Sequence, residues 1–419
     1  MPDLSINKLI CGDNLRVLDD LIKQGIQADL IYLDPPFFSN RHYEVIWGDE
    51  AEVRSFKDRW EGGINVYIEW VRERVSKMYD VLKDTGSFYL HCDWHASHYL
   101  KIMLDDIFDR RYFQNEIIWY YGPKATQNET HFQRKHDAIL FYSKSQKFLF
   151  NTLLQNYSEG SLQERGTRYK YEDQGGRYRL TTRRDSDGKK YRAKVYLRQG
   201  VAMTDVWKIN VINASSHERL GYPTQKPEAL LENIIKASSN KGDLILDPFC
   251  GCGTSIAVSQ RLGRKWIGID ISPTAINLIE KRLKKLGAMK GQDYDSIGMP
   301  TTIAELKALE PFEFQNWVIN EMKAKQSKRL TSDFGIDGYY DKTLFTEKAG
   351  IQVKQSEKIG RNVVDNFETA LSRGKFQNGI IIAFSFTKGA YEESARAKKN
   401  QLDIRLIEVE NLLLGKLKI

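Results

Sequence analysis

An α/β fold built on a largely parallel sheet with helices on both faces is the class this sequence predicts, and three observations predict it. The first 120 residues alternate short apolar strand patterns with amphipathic helical ones, the order from which parallel sheets are built. Two strands far apart in the chain, Ala28-Asp29-Leu30-Ile31-Tyr32-Leu33 and Leu244-Ile245-Leu246, each run into an Asp-Pro turn. The first turn is Asp34-Pro35-Pro36-Phe37 and the second is Asp247-Pro248-Phe249-Cys250-Gly251-Cys252-Gly253-Thr254. A further set of alternating elements follows residue 310, beyond a stretch rich in Gly, Asp, Ser and Lys.

In chain order, Lys8-Leu9-Ile10-Cys11 reads as a strand, Leu15–Lys23 as a helix, Asp29–Leu33 as a strand, Ile64–Leu82 as a helix and Ser87–Leu90 as a strand. Gly12-Asp13-Asn14 ends the first strand as Asp34 ends the second, which places both carboxylates on one sheet edge, where ligands collect. Asp13 or Asn14 also suits the N-cap of the helix that follows. His91-Cys92-Asp93-Trp94-His95-Ala96-Ser97-His98 crowds three histidines together, but no thiol or carboxylate pattern completes a zinc set, so a metal site is not expected there. Asn115–Tyr120 and His136–Tyr142 supply further strands, separated by a polar loop, Gly122 to Lys135.

Composition shifts between Asn151 and Gly221: from Ser161 to Gly200 there are twelve Lys/Arg against five Asp/Glu, interleaved with Tyr169, Tyr171, Tyr178, Tyr191 and Tyr196. Basic groups offset phosphates while rings and arginine forks contact bases, so this insertion is the candidate recognition region, with Arg177, Arg179, Arg183 and Arg184 as its DNA-contacting arginines. A merely solvated insertion is the alternative. Thr204-Asp205-Val206-Trp207 returns the chain to the core, and Tyr222-Pro223-Thr224-Gln225-Lys226-Pro227 opens a helix whose free amide groups attract anions. Gly251 and Gly253 let backbone approach a ligand closely, and about twenty residues on Asp270 is placed to accept ribose hydroxyls. The resulting division is 1–150 and 222–290 for the two halves of a core, 151–221 for the insertion, 291–310 for a linker and 311–419 for a second domain.

At 419 residues the chain is long enough for two or three domains. Its net charge of +8 and pI near 9.0 favour a polyanionic partner. Four cysteines without a spaced quartet exclude a disulfide framework and point to a reducing cytoplasm. A soluble protein is expected, because Met1-Pro2-Asp3 opens polar and runs such as Ile380-Ile381-Ile382-Ala383-Phe384 are too short to span a bilayer.

On the paired motifs Asp34-Pro35-Pro36-Phe37 and Asp247 to Thr254, the chain resembles the site-specific DNA amino-methyltransferases that act on adenine N6 or cytosine N4, in the group whose catalytic motif precedes the cofactor motif. The resemblance covers roughly residues 6 to 285 and implies a circularly permuted, Rossmann-like methyltransferase sheet, S-adenosylmethionine as cofactor and duplex DNA as partner, with a homodimer compatible. It places Asp34, Pro35, Pro36 and Phe37 at the target base. Asp13, Thr224, Lys226, Asp247, Phe249, Gly251, Gly253, Thr254 and Asp270 fall to the cofactor, with Thr224 and Lys226 at its carboxylate and Asp13 at its adenine. Asp93 would border the same pocket. Direct methyl displacement needs no cysteine nucleophile and no metal; a carboxylate at Asp34 and the Pro35 carbonyl accept the amine's hydrogens while Phe37 stacks on the flipped base. Phe37 stands where many relatives carry Tyr, which keeps the stacking face and removes a hydroxyl. An Asp-first motif favours adenine, with a cytosine amino group as the alternative.

In the last 110 or so residues, Pro311–Val318 reads as a helix, Phe334 to Tyr339 leads to a hairpin, and Ile351-Gln352-Val353-Lys354 is a strand. Asn366–Ser372, Gly379–Phe386 and Ile404–Ile407 then read as helix, strand and strand. This order, with Asp337 and Gln352-x-Lys354, resembles the Mrr-like branch of the restriction-endonuclease fold. The resemblance implies Mg2+ held by Asp337, with Lys354 acting on the attacking water. Gln352 stands where many nucleases of this fold carry Asp or Glu, although the Mrr-like branch accepts Gln; Glu313 and Glu321 are candidates for another acid. A docking or DNA-binding module without catalysis is the alternative.

Overall fold

The computed structural model describes residues 7–38, 63–122, 131–157, 160, 167–197, 200–213, 215–220, 222, 224–326, 335–340, 348–399, 401–414 and 416. The loop expected over Gly122 to Lys135 falls mostly outside the described residues, as do Gly221, Pro223 and Phe334. No helix among the described residues is long and apolar enough to cross a membrane.

The chain opens with β1 (Asn7–Cys11), α1 (Asn14–Lys23) and β2 (Ala28–Leu33), then α2 (Ile64–Val81), β3 (Leu82–Cys92), α3 (Ser97–Phe108), β4 (Phe113–Tyr120) and β5 (His136–Ser143). The insertion holds β6 (Leu154–Gln155), β7 (Tyr171–Asp173), β8 (Gly176–Arg184), β9 (Lys190–Tyr196) and β10 (Val201–Ala202). After it come β11 (Val206–Lys208), α4 (Glu228–Ser238), β12 (Leu244–Asp247), α5 (Thr254–Arg261), β13 (Lys265–Asp270), α6 (Pro273–Lys285) and β14 (Tyr294–Ile297). The described residues form a nine-stranded sheet in the order β11-β4-β5-β3-β2-β12-β13-β1-β14. Only β5 runs antiparallel to its neighbours there.

Central strands of such a sheet are covered on both faces and therefore read as continuous apolar runs. In β2 the alternation sends Ile31 and Leu33 into one core with Met78, Leu100 and Phe108, and Leu30 and Tyr32 into the other with Ile234, Ile256 and Trp266. The helices bury matching stripes: Tyr67, Ile68, Val71, Val75 and Met78 recur along α2 at helical spacing. α6 begins where Ser272 accepts a hydrogen bond from the Ala275 amide and Pro273 occupies the first turn.

The insertion's main feature is the antiparallel sheet β7-β8-β9, in which Tyr178 lies opposite both Tyr171 and Tyr196 with ring centroids 5.5 Å apart in each pair. Side chains alternate across β8, so Arg177, Arg179 and Arg183 share one face while Arg184 lies on the other. The expected group of four arginines is therefore split. Arg184 shares its face with Lys190, Arg192 and Lys194 of β9, which lie opposite Arg184, Thr182 and Leu180.

The C-terminal unit comprises α7 (Ile303–Ala308), α8 (Pro311–Glu321), β15 (Lys325–Gln326), β16 (Gly338–Tyr340), β17 (Ala349–Lys354), α9 (Arg361–Arg373), β18 (Asn378–Ala383), α10 (Lys388–Lys399), β19 (Asp403–Glu408) and α11 (Val409–Leu413). Its sheet order is β15-β16-β17-β18-β19, antiparallel up to β17 and parallel beyond. One face is covered by Leu306, Phe314, Trp317 and Val318 and the other by Val364, Phe367, Leu371 and Ala397.

The expected linker is corrected on both sides. β14 pairs in parallel with β1 through Asn7↔Tyr294 to Ile10↔Ile297, so the methyltransferase-like sheet continues past residue 290. α7, inside the expected 291–310 linker, buries Leu306 in the C-terminal core and starts with a full capping box between Thr302 and Glu305.

Candidate active site

Hydrogen bonding of β2 to β12, β12 to β13 and β13 to β1, all in parallel, lines up the carboxyl ends of four successive strands. Asp34, Asp247, Asp270 and Asp13 thereby stand along one sheet edge, although the first and third of these are over two hundred residues apart in sequence. The glycine turn and the Asp-Pro-Pro-Phe turn are neighbours because their strands are.

Asp34 does not face open solvent alone. Lys226 Nζ donates to Asp34 Oδ2 at 2.6 Å, with 12% and 17% of the two side chains exposed, and the same ammonium lies 5.1 Å from the Phe37 ring centroid. The resemblance implied Lys226 at a cofactor carboxylate; here its ammonium donates to the Asp34 carboxylate. Behind them sits His91, fully buried, its ring tilted against Phe37 at 5.6 Å and its Nδ1 3.9 Å from Asp34 Oδ1. His91 Nε2 meets Asp137 Oδ2 at 3.2 Å and Nδ1 meets the Tyr32 hydroxyl at 2.9 Å. A carboxylate only accepts, so Nε2 carries the proton and the Tyr32 hydroxyl donates to Nδ1. Burial pushes Asp137 up, but the hydrogen bond from His91 and the nearby charge of Lys226 outweigh it and hold the carboxyl below its usual range.

The Gly-rich turn is held by its own carboxylates. Asp247 is buried; its Oδ1 accepts from the Phe249 amide at 3.1 Å and its Oδ2 from the Ser255 hydroxyl, and burial pushes its carboxyl up to about 7. Asp270 Oδ2 accepts from the Gly251 amide at 2.8 Å and Oδ1 from the Ser272 amide at 2.9 Å, while burial raises its carboxyl as well. Gly253 takes φ +72°, and a Cβ there would meet Ile279 at 2.6 Å, so the turn packs onto α6 only with glycine. Thr254 is buried, donating to the Lys226 carbonyl at 3.2 Å and accepting from Arg282, whereas Thr224 is exposed. Phe249 packs against Trp70 at 5.6 Å, and Arg74 lies over that indole at 3.9 Å. Asp13 is the N-cap of α1, accepting from the Leu15 amide at 2.8 Å. Asn14, the other N-cap candidate, instead ties α1 to the turn by donating to the Pro248 carbonyl at 2.9 Å while accepting from Arg74.

The three histidines of residues 91–98 serve different partners: His95 bonds Asp93 at 2.6 Å and His98 is exposed. Asp93 therefore supports its own turn, also accepting from the His95 amide.

In the C-terminal unit, Asp337 immediately precedes β16, its amide donating to the Ile351 carbonyl at 2.8 Å and its Oδ2 accepting from the Val353 amide at 2.7 Å. Alternation puts Gln352 and Lys354 on one face of β17 and Ile351 and Val353 in the core on the other. Gln352 is 6% exposed; its Nε2 donates to the Gly335 carbonyl at 2.9 Å and its Oε1 has no partner among the described residues. Glu313 is not part of this centre: it accepts from Ser272 and Thr274 at the start of α6. Glu321 likewise lies within the field of Glu280 on α6, with burial raising its carboxyl.

A permuted sheet carrying an Asp-Pro-Pro-Phe turn beside a glycine turn closed by the buried Asp247 and the partly buried Asp270 defines an S-adenosylmethionine-dependent group-transfer enzyme. More closely, the chain belongs to the DNA methylase family, whose model matches residues 28–281, and a restriction endonuclease model matches residues 306–414. Type II methyltransferase M.EcaI of Enterobacter cloacae is 30% identical over 327 residues, 66% of this chain and 69% of that one. M.HpaI of Haemophilus parainfluenzae is 28% identical over 345 residues, 78% and 94%. DNA adenine methyltransferase YhdJ of Escherichia coli K12 is 29% identical over 276 residues, 66% and 82%. A solved complex of M1.HpyAVI with SAM covers 66% of this chain and 98% of its own at 20% identity and a TM-score of 0.41.

Proposed function

We propose that this DNA methyltransferase modifies the exocyclic amino group of adenine in duplex DNA and that its C-terminal domain is a metal-dependent nuclease of the same restriction-modification system. The observation that carries the first part is the pairing of β2 with β12, which brings the Asp34 carboxylate beside the cofactor turn. The likeness to YhdJ, a DNA adenine methyltransferase, and the Asp-first motif support adenine. A glycine turn with positive φ at Gly251 and Gly253, packed against α6, and the carboxylate of Asp270 at its mouth suit the nucleoside part of S-adenosylmethionine.

When bound, S-adenosylmethionine supplies a methyl group on a positively charged sulfur. Asp34 and the Pro35 carbonyl accept the two hydrogens of the target amine and aim its lone pair, and Phe37 covers the base. In the displacement this group would supply, methyl passing from sulfur to nitrogen with the thioether as leaving group, Asp34 would receive the proton the nitrogen must lose. Lys226, at Asp34 Oδ2, would compete with the amine for that oxygen. The buried His91, hydrogen-bonded to Tyr32 and Asp137, packs beneath Phe37. Incubating the protein with DNA and labelled cofactor, then separating the nucleosides by mass, tests the assignment: N6-methyladenine is expected, and label in cytosine alone moves it to N4 of that base.

For the C-terminal domain, the buried, unpartnered Oε1 of Gln352 between Asp337 and Lys354 supports a cation site, since an orphaned acceptor is costly unless a ligand completes it. Asp337 and Gln352 would hold Mg2+, which lowers the barrier to phosphodiester hydrolysis by polarising the phosphate, and Lys354 would orient the attacking water. Plasmid DNA, methylated and unmethylated, should be nicked or cut with magnesium or manganese; no cleavage under any of these conditions leaves the domain as a docking module.

A further inference from the structure

The first long helix of the C-terminal domain reaches into the edge of the cofactor site. Glu313, in the first turn of α8, accepts from the Ser272 hydroxyl at 2.8 Å and from the Thr274 hydroxyl at 3.2 Å. Both donors lie at the N-terminal end of α6, where the helix dipole and free amides favour a carboxylate. Towards the other end of the same helix pair, Lys281 donates to Asn320 at 3.4 Å. The contact matters because of what Ser272 does. Its amide is bound by Asp270 Oδ1, its hydroxyl oxygen caps the Ala275 amide, and Asp270 Oδ2 in turn holds Gly251 of the glycine turn. An unbroken set of hydrogen bonds thus runs from a carboxylate of the C-terminal domain to the turn that faces the cofactor. The Cys11 thiol, at the end of the neighbouring strand, is pushed up to about 12 by burial, by Asp270 and by Glu313, so both carboxylates act on the same point.

We propose that the cofactor site is a two-domain site, in which Glu313 is a positioning residue for Asp270 and cofactor binding is linked to the seating of the C-terminal domain. The inference rests on the reading of Asp270 as the ribose acceptor. Linkage makes the effect reciprocal: if the contact tightens S-adenosylmethionine binding by some factor, the bound cofactor strengthens the contact by the same factor.

Two measurements on the full chain test it. Calorimetric titration with S-adenosylmethionine should show Glu313→Ala weakened by about tenfold, within the range usual for coupled sites. Thr274→Val, which removes one donor and keeps the cap, should weaken it by a smaller factor, and the double variant should be no worse than Glu313→Ala alone. Hydrogen exchange on the unmodified protein should slow over residues 311–321 when the cofactor is added, a readout that needs no variant to fold. Unchanged affinity in a folded Glu313→Ala, or exchange over 311–321 indifferent to cofactor, overturns the proposal. Asp270→Asn separates the premise from the inference: if it binds the cofactor as the parent does, the ribose assignment fails, whereas weak binding by Asp270→Asn with normal binding by Glu313→Ala sinks only the two-domain site.

Discussion

Replacing Asp34 by alanine should separate chemistry from cofactor binding, and the Lys226 contact sets the size of each effect. Two unit charges about 4 Å apart attract by roughly 4 kcal/mol at an effective dielectric near 20. Both side chains of this pair are largely withdrawn from water, at 12% and 17% exposure, and the lost hydration offsets most of that attraction. A net value of about 1 kcal/mol remains, worth roughly a factor of five in an equilibrium constant. Asp34→Ala frees Lys226 from its partner, so S-adenosylmethionine affinity should stay as it is or tighten by up to about fivefold. Methyl transfer, which loses the group that receives the amine's hydrogens, should fall by about a thousandfold or more. Calorimetry with the cofactor and transfer of a tritiated methyl group to DNA give the two numbers. Turnover near that of the parent would falsify the role of Asp34, and a tenfold or greater loss of cofactor affinity would show that Lys226 needs Asp34 in order to be placed.

Gly253→Ala should cost about 2–4 kcal/mol of stability, because it combines a left-handed backbone with a 2.6 Å approach to Ile279, and a lower denaturation midpoint with weaker cofactor binding would register it. Asp247 holds its proton up to about pH 7 in the folded protein and only to about 4 when unfolded, so its contribution is fully present below pH 4 and is lost as pH rises through 7. The melting temperature of Asp247→Asn measured against the parent should accordingly gain on it between pH 5 and 8; a parallel pair of curves removes the argument. Changing Arg177, Arg179 and Arg183 together to glutamine should weaken DNA binding across sequences and reduce the salt slope by about 0.9 for each phosphate left without its arginine, which filter binding at several salt concentrations would reveal. Lys354→Ala should abolish metal-dependent nicking while methyl transfer continues, and cleavage at the parental rate would exclude Lys354 from the centre.

Much of the sheet was legible because β2 and β12 are continuous apolar runs broken by Asp-Pro, a pattern with few structural meanings. β14 escaped because an edge strand needs only one covered face: Tyr294 is its sole buried residue, and Asp295 and Ser296 beside it look like linker. The split of Arg183 from Arg184 was available in principle, since neighbours in a strand face opposite sides, but it required knowing that the basic stretch is a strand. Contacts such as Lys226 with Asp34, 192 residues apart, or Glu313 with Ser272 depend on how helices dock, which spacing within one segment does not encode. His91 carried a weak signal as a polar residue directly after the apolar run Phe88-Tyr89-Leu90 of a central strand, where a buried ring must find partners.

The pairing of β14 with β1 dictates where the methylase sheet and the C-terminal unit can be parted. First and last strands of the methyltransferase sheet lie side by side, and Gly298, at φ +81°, carries the chain past the end of β1, where a Cβ would stand 2.1 Å from the Cys11 carbonyl oxygen. A cut before Tyr294 would strip the sheet's edge and leave the backbone of β1 open to pairing with another molecule, whereas one between Met299 and Thr302 leaves both hydrophobic units whole. A protein divided in that short stretch would trade the contact through Glu313 for an encounter between two separate polypeptides.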